Sequence, residues 1–245
     1  MLLAQPNKHA EAALFAAGLE ACGFTVHARI DDPKPGDVLV VWNRMGAHHT
    51  HAKRFEQARA TVLVAENGYL GAQWQGRRWF ALSRSHHNGR GRWPQGGPER
   101  WASWGVELAP MRGLMGETVL LAQRGIGEPD LRAPDHWTAE TARSMRARIR
   151  RHPGTSTTGP SLAEDLANAA AVVTWSSGAA LQAMLMGCWC FYGMPGWIGA
   201  PAATLVGRGL SPVDLRLPMF ERMAWAMWDI DEVARGDAFR EVLAC

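Results

Sequence analysis

Three short stretches combine residue types that could do chemistry with positions that could expose them. The first is "VVTWSSGAALQAM", in which an apolar β-branched run delivers Ser176, Ser177 and Gly178 to the first turn of an Ala/Leu/Met helix. Unpaired N–H groups and the positive dipole end favour an anion there, and serine hydroxyls add donors. The same residues also suit a plain helix cap, with Gly178 allowing close helix–strand packing. The second is "RIRRHPG", where Pro153 holds His152 in extended geometry beside Arg151. A histidine so placed could bind a phosphate and stabilise a leaving group; a solvated arginine face ending at a turn is the plainer alternative, with Arg143, Arg146 and Arg150 sharing one helix face. The third is "VLVAENGYL", with Glu66 at the carboxyl end of a buried strand and Asn67–Gly68 forming a turn. A general base belongs at that place in an open α/β sheet, and a chance glutamate before an Asn-Gly turn is the alternative.

The elements that must position these residues follow from periodicity. Residues 8–21 have helical spacing and end at Gly23, after which "FTVHARI" alternates like a strand. "VLVVW" (38–42) and "TVLVAE" (61–66) are buried strands on either side of the amphipathic helix "HAKRFEQARA". Residues 71–117 are rich in Gly, Arg, Trp and Pro and lack periodicity, which suggests a functional loop or linker. Beyond it come a strand at "ETVLLAQ", a helix at "PDHWTAETARSMRARI", a helix at "SLAEDLANA", the strand "AVVTW", the helix "GAALQAMLMG" and a strand at "CWCFYG". A final amphipathic helix is expected around "PMFERMAWAMWDIDEVARG". Alternation of strands and helices gives the α/β class, as two Rossmann-like halves facing a cleft: residues 1–112, with a long irregular loop at 71–112, and residues 113–245, with the last helix crossing back.

Composition sets outer limits. The 245 residues can bury a sizeable core, 47% are hydrophobic and 20% charged, and no apolar run reaches the roughly 18 residues that span a bilayer. The N-terminus lacks the pattern of a signal peptide, so a cytoplasmic location is expected. Cys22, Cys188, Cys190 and Cys245 are too scattered for a disulfide framework or a zinc knuckle. A net charge of +3, carried mostly by arginine, suits phosphate-bearing ligands. The histidine clusters "HHTH" (48, 49, 51) and "SHHNG" (86–89) lack an accompanying carboxylate or cysteine at ligand spacing. No metal is expected, and acceptor contact or loop hydrogen bonding is the favoured role for both clusters, His48, His49 and His51 as well as His86, His87 and Asn88; Asn43 and Arg44, at the end of the "VLVVW" strand, share that position as acceptor-side binders. Asn43 and Arg44 could equally form a turn.

Taken in order, the acidic-x-Gly turn (Glu66, Asn67, Gly68), the His-Pro pair (His152, Pro153) and the Ser-Ser pair (Ser176, Ser177) resemble bacterial sialyltransferases and capsule Kdo transferases, glycosyltransferases of GT-B fold. The likeness covers mainly residues 115–195, with a thinner match around 60–70. It implies Glu66 as the base that deprotonates the acceptor hydroxyl, although Asn67 stands where many members have a second acid. It implies His152, Ser176 and Ser177, with Arg151, Pro153 and Gly178 around them, as the binding site for the donor phosphate, and a metal-independent displacement with inversion. No cofactor is implied beyond a nucleotide-sugar co-substrate linked through CMP, UDP or GDP. The acceptor would be a glycan, or a hydroxylated base of phage DNA held by the Trp- and Arg-rich "HHNGRGRWPQGGPERW" loop. A non-catalytic nucleotide- or DNA-binding module is the alternative class.

Overall fold

The computed structural model describes residues 2–4, 9–125, 131–154, 159–211 and 213–245. In chain order the first elements are β1 (Leu2–Ala4), α1 (His9–Glu20), β2 (Val38–Trp42), α2 (Ala47–Gln57), β3 (Thr61–Asn67), β4 (Gln73–Trp74) and β5 (Arg77–Arg84). They are followed by α3 (Glu99–Ser103), β6 (Glu117–Leu121), α4 (Trp137–Ser144), β7 (Arg148–Arg150), α5 (Leu162–Asp165), β8 (Ala169–Thr174), α6 (Gly178–Leu185), β9 (Trp189–Tyr192), β10 (Thr204–Leu205) and α7 (Arg216–Ala224). The chain ends with β11 (Met227–Asp229), α8 (Ile230–Ala234) and α9 (Asp237–Ala244). Two compact units result, and the first is discontinuous. It takes Met1–Gly97 together with Arg222–Cys245, whereas Pro98–Ile126 and Asp130–Glu221 make the second. Residues 98–112 thus group with the later unit: Trp101 stacks on Phe220 with ring centroids 4.9 Å apart, and Ala109 N–H donates to the Leu185 carbonyl.

In the first unit the sheet order is β1-β2-β3-β5-β11, with β4 hydrogen-bonded to β5. Strands β1, β2 and β3 are parallel, as the βα connections require, while β5 runs antiparallel to β3 and β11 antiparallel to β5. Alternation along β2 and β3 divides the core between two faces. Val38, Val40, Leu63 and Ala65 pack with Phe15, Leu19, Phe80, Trp228 and Phe239; Leu39, Val41, Val62 and Val64 pack with Ala52 and Phe55 of α2.

Three expectations are corrected here. "FTVHARI" is not a strand apart from a single bridging residue at His27, because its alternating residues lean on the core without a neighbouring strand to pair with; Phe24 and Val26 pack against the first cluster as loop residues. The segment 71–117 is not wholly irregular, since "RRWFALSR" is β5, a central strand buried on both faces from Trp79 to Ser83. The final helix is broken. Met227, Trp228 and Asp229 form β11 against Phe80 and its neighbours, and Asp229 then caps α8 through a reciprocal box with Glu232.

The second unit has a parallel sheet of order β10-β9-β8-β6-β7. Its central strand β8 is buried along its whole length, and Leu120 and Val173 pack with Ala142 from α4. The helix expected from Pro134 to Ile149 stops at Ser144, and Arg146 takes the left-handed φ of 50° that turns the chain into β7. Arg143, Arg146 and Arg150 therefore do not share a helix face. Arg148 and Arg150 instead clamp Asp165, with Nη1–carboxylate distances of 2.9 and 2.5 Å.

Candidate functional site

The side chains singled out in the sequence form one group in each unit. In the first unit the alternation that sends Val62 and Val64 to the α2 face continues to Glu66 at the end of β3. The Asn67 N–H donates to Glu66 Oε1 at 2.9 Å, so the carboxylate folds over the start of the turn. Gly68 then donates to the Trp79 carbonyl at 3.0 Å. A Cβ at Gly68 would stand 2.7 Å from Trp79 Cβ and 3.2 Å from Met227 Cε, so this glycine is required by close packing under the turn.

Tyr69, a residue the sequence did not single out, ties this turn to the loop after β5. Its ring is buried and its hydroxyl accepts the Asn88 N–H at 2.8 Å. Burial pushes the phenol well above its ordinary pKa; the Asn88 bond opposes that rise and the negative charge of Glu66 adds to it. Asn88 itself is 6% exposed, left-handed at φ 61°, and accepts the Gly89 N–H with its own side chain, which makes it a turn-former. His86 and His87 precede it in the same loop, where the His86 carbonyl takes a hydrogen bond from the Ser83 hydroxyl at 2.5 Å.

Asn43 and Arg44 are also engaged in holding structure. Asn43, at φ 51°, donates its N–H to the Ala65 carbonyl. Arg44 is only 2% exposed, and its guanidinium grips both oxygens of Glu56 at 2.6 and 2.8 Å and also reaches the Ser85 carbonyl. It braces α2 against the β5 exit.

In the second unit three adjacent parallel strands end side by side: β7 leads to His152, β6 to Gln123 and Arg124, and β8 to Ser176 and Ser177. Ser176 N–H donates to Gln123 Oε1 at 2.8 Å, and Gln123 Nε2 donates back to the Ser176 hydroxyl at 3.3 Å. Ser177 N–H goes to Thr174 Oγ1 at 2.8 Å, and the Ser177 hydroxyl caps α6 by accepting the Ala179 N–H at 3.2 Å. The N–H groups of Ser176, Ser177 and Ala179 are therefore already occupied. What this edge presents to an anion is mainly side chain: the Ser176 hydroxyl, Arg124 and His152.

Arg151, His152, Pro153 and Gly154 are all exposed. Gly154 N–H donates to His152 Nδ1 at 2.8 Å, so in the neutral ring the proton sits on Nε2. Partial loss of hydration, and then the positive charge of Arg124, lower the His152 pKa below its ordinary 6.5. At neutral pH the imidazole is an uncharged Nε2–H donor, and the formal charge beside it belongs to Arg124. Gln123 and Arg124 were missed in the sequence; the signal was available in "LLAQRG", where polar residues follow an apolar strand. Among the described residues, no cluster of three or more His, Cys, Asp or Glu side chains is arranged to hold a metal. Trp93 and Trp101 of the loop proposed to stack on a base are buried at 4% and 3% exposure and serve packing.

No protein-family model and no curated protein matches the chain in sequence. Solved structures match it in shape. Thermosulfurimonas dismutans KpsC, beta Kdo 2,7 transferase, is similar with a TM-score of 0.60 at 15% identity, over 98% of this chain and 98% of that one. The beta Kdo 2,4 transferase of the same organism's KpsC is similar with a TM-score of 0.61 at 12% identity, over 95% and 97%. The chain thus has the GT-B-like α/β fold of the KpsC Kdo transferases.

Proposed function

We propose that the protein is a glycosyltransferase that moves a sugar from a nucleotide-activated donor to an acceptor hydroxyl. The observation that carries this reading is the convergence of Gln123, Arg124, His152 and Ser176 at three neighbouring carboxyl ends of a parallel sheet, the place where such sheets bind ligands, in a fold shared with two Kdo transferases. Arg124 supplies charge to the donor phosphate, the neutral His152 donates from Nε2 as the leaving oxygen gains charge, and the Ser176 hydroxyl adds a further donor, with Arg151, Pro153, Ser177 and Gly178 framing them. These groups take the part that a metal ion plays elsewhere. Glu66 accepts the proton of the acceptor hydroxyl, whose oxygen attacks the anomeric carbon as the bond to phosphate breaks. With one carboxylate in that turn and Asn67 beside it, the displacement is a single step with inversion. A CMP-linked acid sugar such as Kdo is the first donor to try, followed by UDP and GDP sugars, and the acceptor is a glycan. The cytoplasm, where four free thiols would stay reduced, is the compartment this reading requires. Among the described residues no helix is long and apolar enough to cross a membrane.

The deciding experiment measures hydrolysis and transfer across a panel of CMP, UDP and GDP sugars for wild type, Glu66→Gln and His152→Ala, with product configuration read by NMR. Turnover by wild type and a loss of a hundredfold or so in each variant supports the proposal. Absence of turnover with every donor, together with tight DNA binding and a steep salt dependence, would replace it with a non-catalytic binding module.

A further inference from the structure

One histidine of the "HHTH" cluster is held in a way that the proposed mechanism leaves unused. His48 stands in the first turn of α2, and its Nδ1 lies 2.5 Å from the main-chain carbonyl oxygen of Trp42, the last residue of β2. A carbonyl can only accept, so the nitrogen facing it carries the proton, and in the neutral ring Nε2 is a bare lone pair. This is the opposite tautomer to that of His152, whose Nδ1 accepts from Gly154 and whose Nε2 therefore donates.

The placement of His48 follows from the sheet. Helix α2 packs through Ala52 and Phe55 on the face made by Val62 and Val64, and Glu66 continues the alternation of that face. His48, where α2 begins, and Glu66, where β3 ends, share one face at one end of the sheet. The other titratable groups beside them are Tyr69, on which the Glu66 charge bears, and His49, His51, Lys53, Arg54 and Glu56 on α2, with Arg44 committed to Glu56 and Arg54 to the Ile30 carbonyl. The half-buried His48 ring and the Glu66 carboxylate thus offer two hydrogen-bond acceptors on a common face.

We propose that His48 Nε2 is a fixed acceptor for a hydroxyl of the sugar that receives the transferred group, and that this substrate carries hydroxyls on neighbouring carbons, one facing Glu66 and the next facing His48. The inference rests on the glycosyltransferase reading and adds to it a residue that selects the acceptor. A lone pair and a carboxylate at one end of one sheet face recognise a pair of hydroxyl hydrogens, and a deoxy substrate would leave one of them unmatched.

The test compares His48→Asn, which can keep the bond to Trp42 but has nothing at the Nε2 position, with His48→Gln, whose amide oxygen can reach that position. Acceptor KM should rise about tenfold in His48→Asn while donor KM is held, and His48→Gln should recover most of the loss. An unchanged acceptor KM in His48→Asn overturns the role of His48 and leaves glycosyl transfer standing; failure of the wild type to turn over any donor removes the parent reading instead. A second measurement needs no turnover. In protein labelled with 15N-histidine, His48 Nε2 should resonate as an unprotonated nitrogen and move when methyl glycosides bearing adjacent hydroxyls are titrated in. Protonation on Nε2 with Nδ1 bare, or no response to any methyl glycoside, also refutes the proposal.

Discussion

Ser176 and Ser177 are adjacent and chemically identical, yet the structure gives their hydroxyls different work, and single substitutions should separate them. Ser177 Oγ accepts the Ala179 N–H at 3.2 Å and caps α6. Its removal frees one N–H of the first turn, a change that costs about 1 kcal/mol and at most about 2. With a urea slope of about 1–3 kcal/mol/M, Ser177→Ala should lower the midpoint of the second unit by about 0.3–1 M, and Ser177→Asn, which restores a capping oxygen, should recover nearly all of it. Ser176 Oγ meets only the Gln123 amide, at 3.3 and 3.4 Å, whereas the stronger 2.8 Å bond to Gln123 uses the main chain and survives substitution. Ser176→Ala should therefore shift the midpoint little. Losing a hydroxyl donor to a charged phosphate costs about 1.5–3 kcal/mol, so CMP affinity measured by calorimetry should fall by about tenfold or more in Ser176→Ala and by much less in Ser177→Ala. If Ser177→Ala keeps its urea midpoint and loses CMP binding, the hydroxyl belongs to the ligand and the capping argument is wrong.

Three further outcomes follow from the geometry. Gly68→Ala should destabilise the first unit by about 1–3 kcal/mol in urea unfolding, because the new methyl meets the anchored Cβ of Trp79, and should also reduce transfer by displacing Glu66; a neutral result would show that the turn relaxes freely. Asp229→Ala should cost about 1–2 kcal/mol by removing the α8 cap, whereas Asp229→Asn should cost a few tenths, since the bond to the largely exposed Arg77 contributes little; equal losses would assign the effect to the ion pair. Because the folded-state pKa of His152 is lowered, the unfolded chain binds more protons there. Stability should therefore fall as pH drops below about 6.5 and level off beneath the folded value, and His152→Asn should flatten that part of the urea-midpoint profile.

The sequence made the carboxyl ends of β3 and β8 easy to read, and hence Glu66 and the two serines, because a β-branched run followed by polar or small residues marks a strand end; β7, which leads to His152, was hidden because "RSMRARI" continues the helical pattern of α4. Partnerships across the sheet were not readable. That Gln123 would bond Ser176 depends on β6 lying beside β8, and that Arg124 would bear on His152 depends on β6 also lying beside β7, which no local pattern states. Strand β5 was hidden because it is buried on both faces, so alternation is absent, and its arginine-rich start resembles the loop around it. Strand β11 was hidden because methionines and tryptophans at near-helical spacing flank a three-residue strand whose identity is set by pairing with β5. Arg44 has the composition of a ligand contact and the environment of a brace; only the location of Glu56 and Ser85 distinguishes the two.

The return of residues 222–245 to the first unit also orders events on the ribosome. The second unit lies wholly between the two parts of the first, so its chain is complete before β11, α8 and α9 emerge. Until then β5 is an open sheet edge, and one core face lacks Trp228, Val233, Phe239 and Val242. A nascent chain that stalls near residue 221 would present unpaired backbone beside exposed Phe80 and Leu82, the combination that recruits other strands. Residues 222–245 work as a latch that closes this edge and core face only after the second unit has been made.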